Sequence, residues 1–173
     1  MWTFIKKWLQ YVSDGLTRQV ITETFYYFLN SYVIAPAGLV TATAAVNTGA
    51  SVSIFQVAGT VVSKLASQAF PALTGLNLAT GQTGCALFGI DASGTLYTFV
   101  SPVVIASATS LAGLQWPVPS DSQPILIVGG VIIQDVSAGA FTGGSTSLAT
   151  AGLTVTYFNT PAGVNPGLPV SIR

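Results

Sequence analysis

The sequence predicts a mainly β protein: an antiparallel β-sandwich or barrel-like domain over residues 31–173, preceded by a helical arm over residues 1–30. Three observations lead to this fold class. Apolar runs after position 30 are short and are separated by Gly, Pro and Ser turns. Helical spacing of apolar residues is confined to the first thirty positions. The length of 173 residues suits one domain with its own core.

The arm is predicted from the segment WTFIKKWLQYVSDG. Four of its apolar side chains recur at helical spacing: Ile5, Trp8, Leu9 and Val12. The Asp-Gly pair at 14–15 is a plausible helix stop. The next segment, LTRQVITETFYYFLNSYV, fits a helix, but its β-branched and aromatic residues also suit a strand. A helix to about Asn30 is the favoured interpretation.

Strand signals begin at Ser31. SVSIFQVAGTVVSK predicts two short strands around Gly59, and CALFGIDASGTLYTFV predicts a hairpin whose turn is Asp-Ala-Ser-Gly. PILIVGGVIIQD predicts one buried strand or a pair of strands. GLTVTYFN alternates Leu153, Val155 and Tyr157 with Thr154, Thr156 and Phe158, and LPVSIR could form a terminal edge strand. The Pro-rich segment QWPVPSDSQP predicts an ordered loop or extended connection.

Charge is scarce. Five basic and five acidic residues give a net charge of zero, whereas an average globular chain of this length would carry roughly 43 charged residues. Zero net charge removes the repulsion that keeps free proteins apart. Such a chain is expected either to lie in a membrane or to have much of its surface covered by other protein.

The membrane alternative is the weaker one. The longest charge-free stretch, residues 24–63, exceeds the roughly 20 residues that span a bilayer, but Asn, Pro and Gly interrupt it. The most apolar run, ILIVGGVII, has nine residues and contains two glycines. The segment WTFIKKW could be an interfacial anchor, although an amphipathic helix docked on protein is preferred. We therefore expect no membrane partner.

Enzyme chemistry is not predicted. The chain has no histidine, which removes the commonest general base and metal ligand. Asp91, Asp121 and Asp135 lie in turn-like settings, where aspartate usually caps its own turn. Cys85 has no base or cation nearby in sequence, and a buried inert thiol is the preferred interpretation. The glycine-rich segments lack the Lys of a phosphate-binding loop, so no metal and no cofactor is expected.

Nucleic acid and a disulfide framework are also not expected. Five cations, three of them in the arm, are too few for the phosphate contacts that nucleic-acid binding requires. A single cysteine excludes an internal disulfide. The N-terminal residues do not resemble a secretory signal, so synthesis in a reducing cytoplasm is expected.

Four segments occur in a recognisable order: VSIFQVAGTVVSK, LFGIDASGTLYTF, WPVPSDSQPILIVGGVII and FTGGSTSLATAGLTVTYFNTPAG. In that order they resemble a group of small virion structural proteins of tailed bacteriophages. The resemblance covers about residues 51–164 and leaves out the arm. Two positions depart from the group's pattern: Ser145 stands where a threonine is usual, and Ala149 stands where an aspartate follows the leucine.

The resemblance implies a viral structural protein, most simply a capsid cement or decoration protein on the exterior of the phage head. Such a protein binds the lattice of major capsid protein, often as a homotrimer, and stabilises the shell. We expect the arm to latch onto the capsid or onto an adjacent copy, because aromatic anchors dominate interface energies. The expected latch residues are Trp2, Phe4, Ile5, Trp8, Leu9 and Val12.

Three alternatives remain open at the level of sequence. The chain could instead belong to a head fibre, tail or baseplate, although the repeats or long heptads of a fibre are absent. It could be a receptor- or glycan-binding module that uses surface aromatics such as Tyr97, Trp116 or Tyr157. The arm could also fold back onto its own β domain.

Overall fold

The computed structural model describes residues 31–42, 45–119 and 124–163. The predicted N-terminal helical arm and the predicted terminal strand LPVSIR lie outside these residues. The described part is mainly β, with antiparallel pairing throughout and no helix. Its strands are β1 Tyr32–Ala35, β2 Val40–Thr41, β3 Val46–Asn47, β4 Ser53–Val57, β5 Thr60–Lys64, β6 Asn77–Leu78, β7 Thr83–Asp91, β8 Leu96–Val100, β9 Ile125–Asp135, β10 Phe141–Thr142 and β11 Leu153–Asn159.

The largest sheet has four strands in the order β11-β9-β7-β8. All nine residues of β7 are buried, and so are nine of the eleven residues of β9. The apolar run ILIVGGVII forms one continuous strand rather than a pair. Its two glycines allow close packing on both faces, since a Cβ on Gly129 would meet Leu39 at 2.7 Å and one on Gly130 would meet Trp116 at 3.0 Å.

A second sheet has three strands in the order β1-β4-β5. The strands β4 and β5 form the predicted pair around Gly59, and Ala58 and Gly59 both have positive φ angles, 49° and 81°. Two successive positive φ angles are typical of the type I′ hairpin turn, whose twist matches that of the strands. Along β4, Ser53, Phe55 and Val57 are buried while the two residues between them are half-buried.

Both sheets contribute to one hydrophobic core. Val33, Phe55 and Val62 of the three-stranded sheet belong to the same buried cluster as Phe88 and Val128 of the four-stranded sheet. Phe70, in the connection after β5, packs against Phe88 with ring centroids 4.9 Å apart. Because each sheet buries one face in this cluster, the core lies between the two sheets.

Residues 101–119 cover the opposite face of the four-stranded sheet. The Thr83 hydroxyl donates a hydrogen bond to the Ser107 carbonyl at 2.6 Å, and the Gln134 amide donates one to the Ala108 carbonyl at 2.7 Å. The ring of Trp116 packs edge-on against Phe158 of β11 with centroids 5.9 Å apart. This segment explains why β7 is buried on both faces. The predicted connection QWPVPSDSQP covers residues 115–124, of which 120–123 lie outside the described residues.

The segment FTGGSTSL closes one end of the core. Strand β10 pairs with β6, and Phe141 is 1% exposed. A Cβ on Gly143 would collide with the Leu73 carbonyl, so this backbone approach requires glycine. The Thr142 N–H donates to the Thr146 hydroxyl at 3.0 Å, and the Thr146 N–H donates to the Thr142 carbonyl at 2.8 Å. Small hydroxyl residues therefore serve here as internal turn partners.

Candidate functional site

The six predicted latch residues, Trp2, Phe4, Ile5, Trp8, Leu9 and Val12, lie outside the described residues. The candidate site that the structure does describe is the exterior of the β domain. The main features of the described residues are a surface with little charge, the uncharged outward face of the three-stranded sheet and a shallow groove. The structure also shows where the aspartates and the cysteine noted in the sequence lie relative to this exterior.

Asp91 caps its own turn, as predicted. Its Oδ1 accepts hydrogen bonds from the backbone N–H groups of Ser93 at 2.9 Å and Thr95 at 2.8 Å, and from the Ser93 hydroxyl at 2.6 Å. The Tyr97 hydroxyl donates to Oδ2 at 2.9 Å. Burial alone would raise the pKa of Asp91, but these hydrogen bonds stabilise the carboxylate and hold its pKa below 3.8. The Asp91 carboxylate therefore stabilises the hairpin turn.

Asp135 also serves a turn, at the end of β9. Its Oδ1 accepts a hydrogen bond from the Ala138 N–H at 2.9 Å, and the residue is fully buried. Its Oδ2 has no hydrogen-bond partner among the described residues. No group of three or more His, Cys, Asp or Glu side chains within the described ranges could hold a metal ion. Asp121, the third aspartate of the β region, lies outside those ranges.

Cys85 lies in the middle of the four-stranded sheet and is fully buried. Its Sγ donates a hydrogen bond to the Gln115 carbonyl at 3.2 Å, beneath the covering segment 101–119. Burial raises the pKa of the thiol to about 11, against a smaller lowering by the Ser101 hydroxyl. A thiol that stays protonated at neutral pH is a poor nucleophile, which agrees with the inert role expected from the sequence.

A shallow, open groove of about 580 Å³ lies where the β7–β8 turn meets the chain after β5. Lys64, Gln68, Ser93 and Thr95 supply its polar lining, and Phe70 is among the apolar residues beneath. The Lys64 ammonium and the Gln68 amide can donate hydrogen bonds to carbonyl or carboxylate oxygens, whereas the Ser93 hydroxyl already donates to Asp91 and the Thr95 hydroxyl is hydrogen-bonded to Ser93.

The outward face of the three-stranded sheet carries no charged residue among the described ones and combines apolar with polar side chains. The register places Gln56 of β4 between Tyr32 and Val61, and Ile54 of β4 between Ala35 and Ser63. These rows alternate with the buried row of Val33, Phe55 and Val62. Val61 is 63% exposed. This face was not anticipated from the sequence; the only signal was that Ile54-Phe55 and Val61-Val62 each place apolar residues on both sides of a strand.

The proposed glycan-contacting aromatics occupy packed positions. Trp116 is half-buried, and part of its ring packs against Gly130 and Phe158 of the four-stranded sheet. The ring of Tyr97 stacks on Phe99 with centroids 6.1 Å apart. The Tyr157 hydroxyl shares a hydrogen bond with the Thr41 hydroxyl at 2.7 Å. These side chains stabilise the fold, and Phe158, 45% exposed, is the aromatic with the most free surface among the described residues.

Two further findings bear on partners. None of the described residues forms a helix long and apolar enough to cross a bilayer. Comparison with protein-family models, with curated proteins and with solved structures finds no match for this chain.

Proposed function

We propose that this chain is a capsid cement (decoration) protein of a tailed bacteriophage. It is made in the host cytoplasm, binds as a homotrimer to the outer surface of the major capsid protein lattice, and bridges neighbouring capsid subunits. Its two sheets and shared core form a β-sandwich module, and residues 1–30 supply a latch. The proposal assigns no catalytic step, no cofactor and no contact with nucleic acid or membrane.

The observation that carries this proposal is the lack of charge on the exterior. Only Lys64, Asp91 and Asp135 are charged among the described residues, and both aspartates are buried. Nine large apolar side chains within the same ranges are exposed. The described surface has one accessible cation, and the whole chain has zero net charge, so there is little electrostatic repulsion to keep copies apart. It suits a protein whose surface is covered by neighbouring subunits in its working state.

The rigidity of the module supports the same function. A cement protein transmits force between capsid subunits, so its core must resist deformation. Here the central strands β7 and β9 are buried on both faces, between the core and the segment 101–119. Close-packed interiors of this kind have low compressibility. Many copies, each contributing a modest interface, would then add up to substantial reinforcement of the shell.

The test uses purified shells that lack the protein. Full-length chain is expected to co-sediment with these shells at a copy number on the order of hundreds per particle, as lattice binding requires. Removing residues 1–30 should abolish binding while far-UV circular dichroism of the β domain is retained. Unchanged shell binding by the chain without residues 1–30 would reject the latch. A copy number in the tens would indicate a fibre, tail or baseplate component instead of a cement protein.

A matched pair of variants sharpens the latch test. Trp2→Ala/Trp8→Ala removes two aromatic anchors, whereas Lys6→Ala/Lys7→Ala removes two charges from the same segment. Buried aromatic anchors typically cost 2 kcal/mol or more when truncated, about thirtyfold in affinity. The tryptophan variant should therefore lose shell binding and the lysine variant should largely keep it. Equal losses would argue against aromatic anchoring.

A further inference from the structure

Strand β5 ends the three-stranded sheet and leaves one edge without a partner among the described residues. The order β1-β4-β5 gives β5 a single neighbour, β4. A two-residue turn makes Val57 and Thr60 a hydrogen-bonded pair, and such pairs alternate along an antiparallel ladder. Thr60 and every second residue after it therefore bond to β4, whereas Val61 and Ser63 direct their backbone N–H and C=O groups toward the free edge. No described residue forms a hydrogen bond with those groups.

Neighbouring chain contacts the other outer strands of the two larger sheets. Beside β1, the Gly163 N–H donates a hydrogen bond to the Val33 carbonyl at 2.7 Å. Beside β11, residues 39–41 bond to the Tyr157 hydroxyl and the Asn159 side chain. All five residues of β8 are half-buried. Three of the five residues of β5 are exposed, so β5 is the outer strand whose edge the described chain leaves open.

Strand β5 also lacks the features that usually protect an edge strand, which are proline, a bulge or charged side chains along the edge. Its pairing with β4 is regular over Thr60–Lys64, and residues 60–63 contain neither proline nor charge. The Nζ of Lys64 lies 3.6 Å from the position that a Cβ on Gly94 would take, so this side chain lies against the β7–β8 turn. An edge of this kind is a template for pairing with another strand.

A second copy of β5 is complementary to this edge. When two copies pair antiparallel about a two-fold axis at Val62, Val61 of each copy lies opposite Ser63 of the other, and the backbone groups of both are satisfied. Lys64 then lies opposite Thr60 of the other copy. The two lysines are separated along the strands by about 14 Å, which exceeds the screening length of about 8 Å at physiological salt. Each copy has zero net charge, so electrostatic repulsion does not oppose the contact.

We propose that two copies of this chain pair antiparallel through β5, which joins their three-stranded sheets into one continuous sheet. The contact is two-fold, so within a shell it would link neighbouring trimers rather than build a trimer. Two short strands bury far less than the about 1,600 Å² of a standard interface, so the pairing is weak in solution and gains strength where many copies are held together. It does not require capsid binding, so the shell assay above and the assay below can fail separately.

Hydrogen exchange of the Val61 and Ser63 amides, followed by NMR from micromolar to millimolar concentration, tests the proposal. When half of the chains are paired, exchange should slow about twofold, and when nine-tenths are paired, about tenfold. The Thr98 amide, which points to the free edge of β8 by the same alternation, should keep its rate. Rates that do not depend on concentration would overturn the proposal, and so would equal slowing at Thr98, because it would indicate non-specific association.

A matched pair of variants separates backbone pairing from side-chain contact. Ser63→Pro removes an N–H at the free edge and leaves the bonds to β4, a position where proline is tolerated, whereas Ser63→Ala keeps that N–H. Protection of the Val61 amide should be lost in the proline variant and kept in the alanine variant. Val61→Lys, read at the Ser63 amide, gives the same test without proline and should also lose protection. Circular dichroism checks the fold, and equal protection in all variants would contradict edge pairing.

A disulfide trap tests the register. The Cα atoms of a hydrogen-bonded antiparallel pair are about 5.5 Å apart, which a disulfide can span, and the native Cys85 is buried. An equimolar mixture of Val61→Cys and Ser63→Cys chains should therefore form the mixed disulfide in preference to either symmetric one. A statistical mixture would overturn the proposed register.

The same exchange measurement identifies a different occupant of the edge. If the Val61 and Ser63 amides become protected only when purified shells are added, the edge pairs with a strand of another protein, and pairing between copies is overturned.

Discussion

At the scale of single residues, turns and close backbone approaches depend on hydroxyl side chains, on glycines and on buried aspartates. Turns are closed by Asp91, Ser93 and Thr146, and close backbone approaches are made possible by glycines. Local partners of this kind satisfy buried polar groups without placing charge on the surface. Two predictions test these roles.

The first compares two glycines with nearly the same backbone conformation. Gly152 and Gly139 have φ angles of +90° and +99°, so alanine costs about 1–2 kcal/mol at either through left-handed strain. A Cβ on Gly152 would also lie 2.6 Å from the Ala138 nitrogen, whereas one on Gly139 would meet nothing within 4 Å. Gly152→Ala should therefore lose about 1–3 kcal/mol more stability than Gly139→Ala. Urea unfolding measures both; equal losses would contradict the packing seen around Gly152.

The second concerns the carboxylate of Asp91. Because hydrogen bonds hold its pKa below 3.8 in the folded chain, its contribution to stability is present above the unfolded pKa and is lost as pH falls through the folded pKa. The difference in unfolding free energy between wild type and Asp91→Asn should be constant above about pH 5 and shrink below pH 4. Comparing the two proteins cancels titration elsewhere. A difference independent of pH from 2 to 7 would contradict this account.

At the scale of elements, the segment 101–119 acts as a third layer over the four-stranded sheet. It contains no regular strand, yet Trp116 and the carbonyls of Ser107, Ala108 and Gln115 fix it to β7, β9 and β11. Its removal would expose one face of the most buried strands in the described part of the chain.

The buried thiol of Cys85 reports on this layer. Trp116→Ala should loosen the segment above the thiol, and reaction with a thiol reagent should accelerate about tenfold for every 1.4 kcal/mol by which local opening becomes easier. The control is Leu111→Ala in the same segment, where the side chain is 50% exposed and should have little effect. Equal reactivity of the two variants would indicate that Trp116 does not hold the layer in place.

Sequence patterns predicted the elements with clear local signals. The hairpin turn at Asp91, the strand pair around Gly59 and the alternation along β11 are confirmed, because each follows from turn chemistry or from period-two alternation. The third layer was not predicted, because its contacts join residues more than twenty positions apart and leave no periodic signal. The outward face of the three-stranded sheet was not predicted, because adjacent apolar residues in β4 and β5 do not indicate which side is buried. The predicted latch lies outside the described residues and stays a prediction.

At the scale of the whole molecule, the described residues form an exterior with little charge, and the proposed function depends on this property. A free protein of this kind has no net charge to oppose association, and a standard stable interface buries about 1,600 Å² in total. Copies of the chain, or a larger shell, are therefore expected to cover part of the surface in the working state. Closed homotrimers would satisfy this requirement without open-ended aggregation.

Sedimentation velocity from micromolar to millimolar concentration tests this claim most directly, with and without purified shells. The account predicts a reversible, concentration-dependent shift from monomer to a closed oligomer, and depletion of the free species when shells are added. The same experiment on Val61→Lys/Val118→Lys, which adds two charges at well-exposed apolar positions, should show weaker association. A single monomeric species at millimolar concentration that ignores added shells would contradict the account.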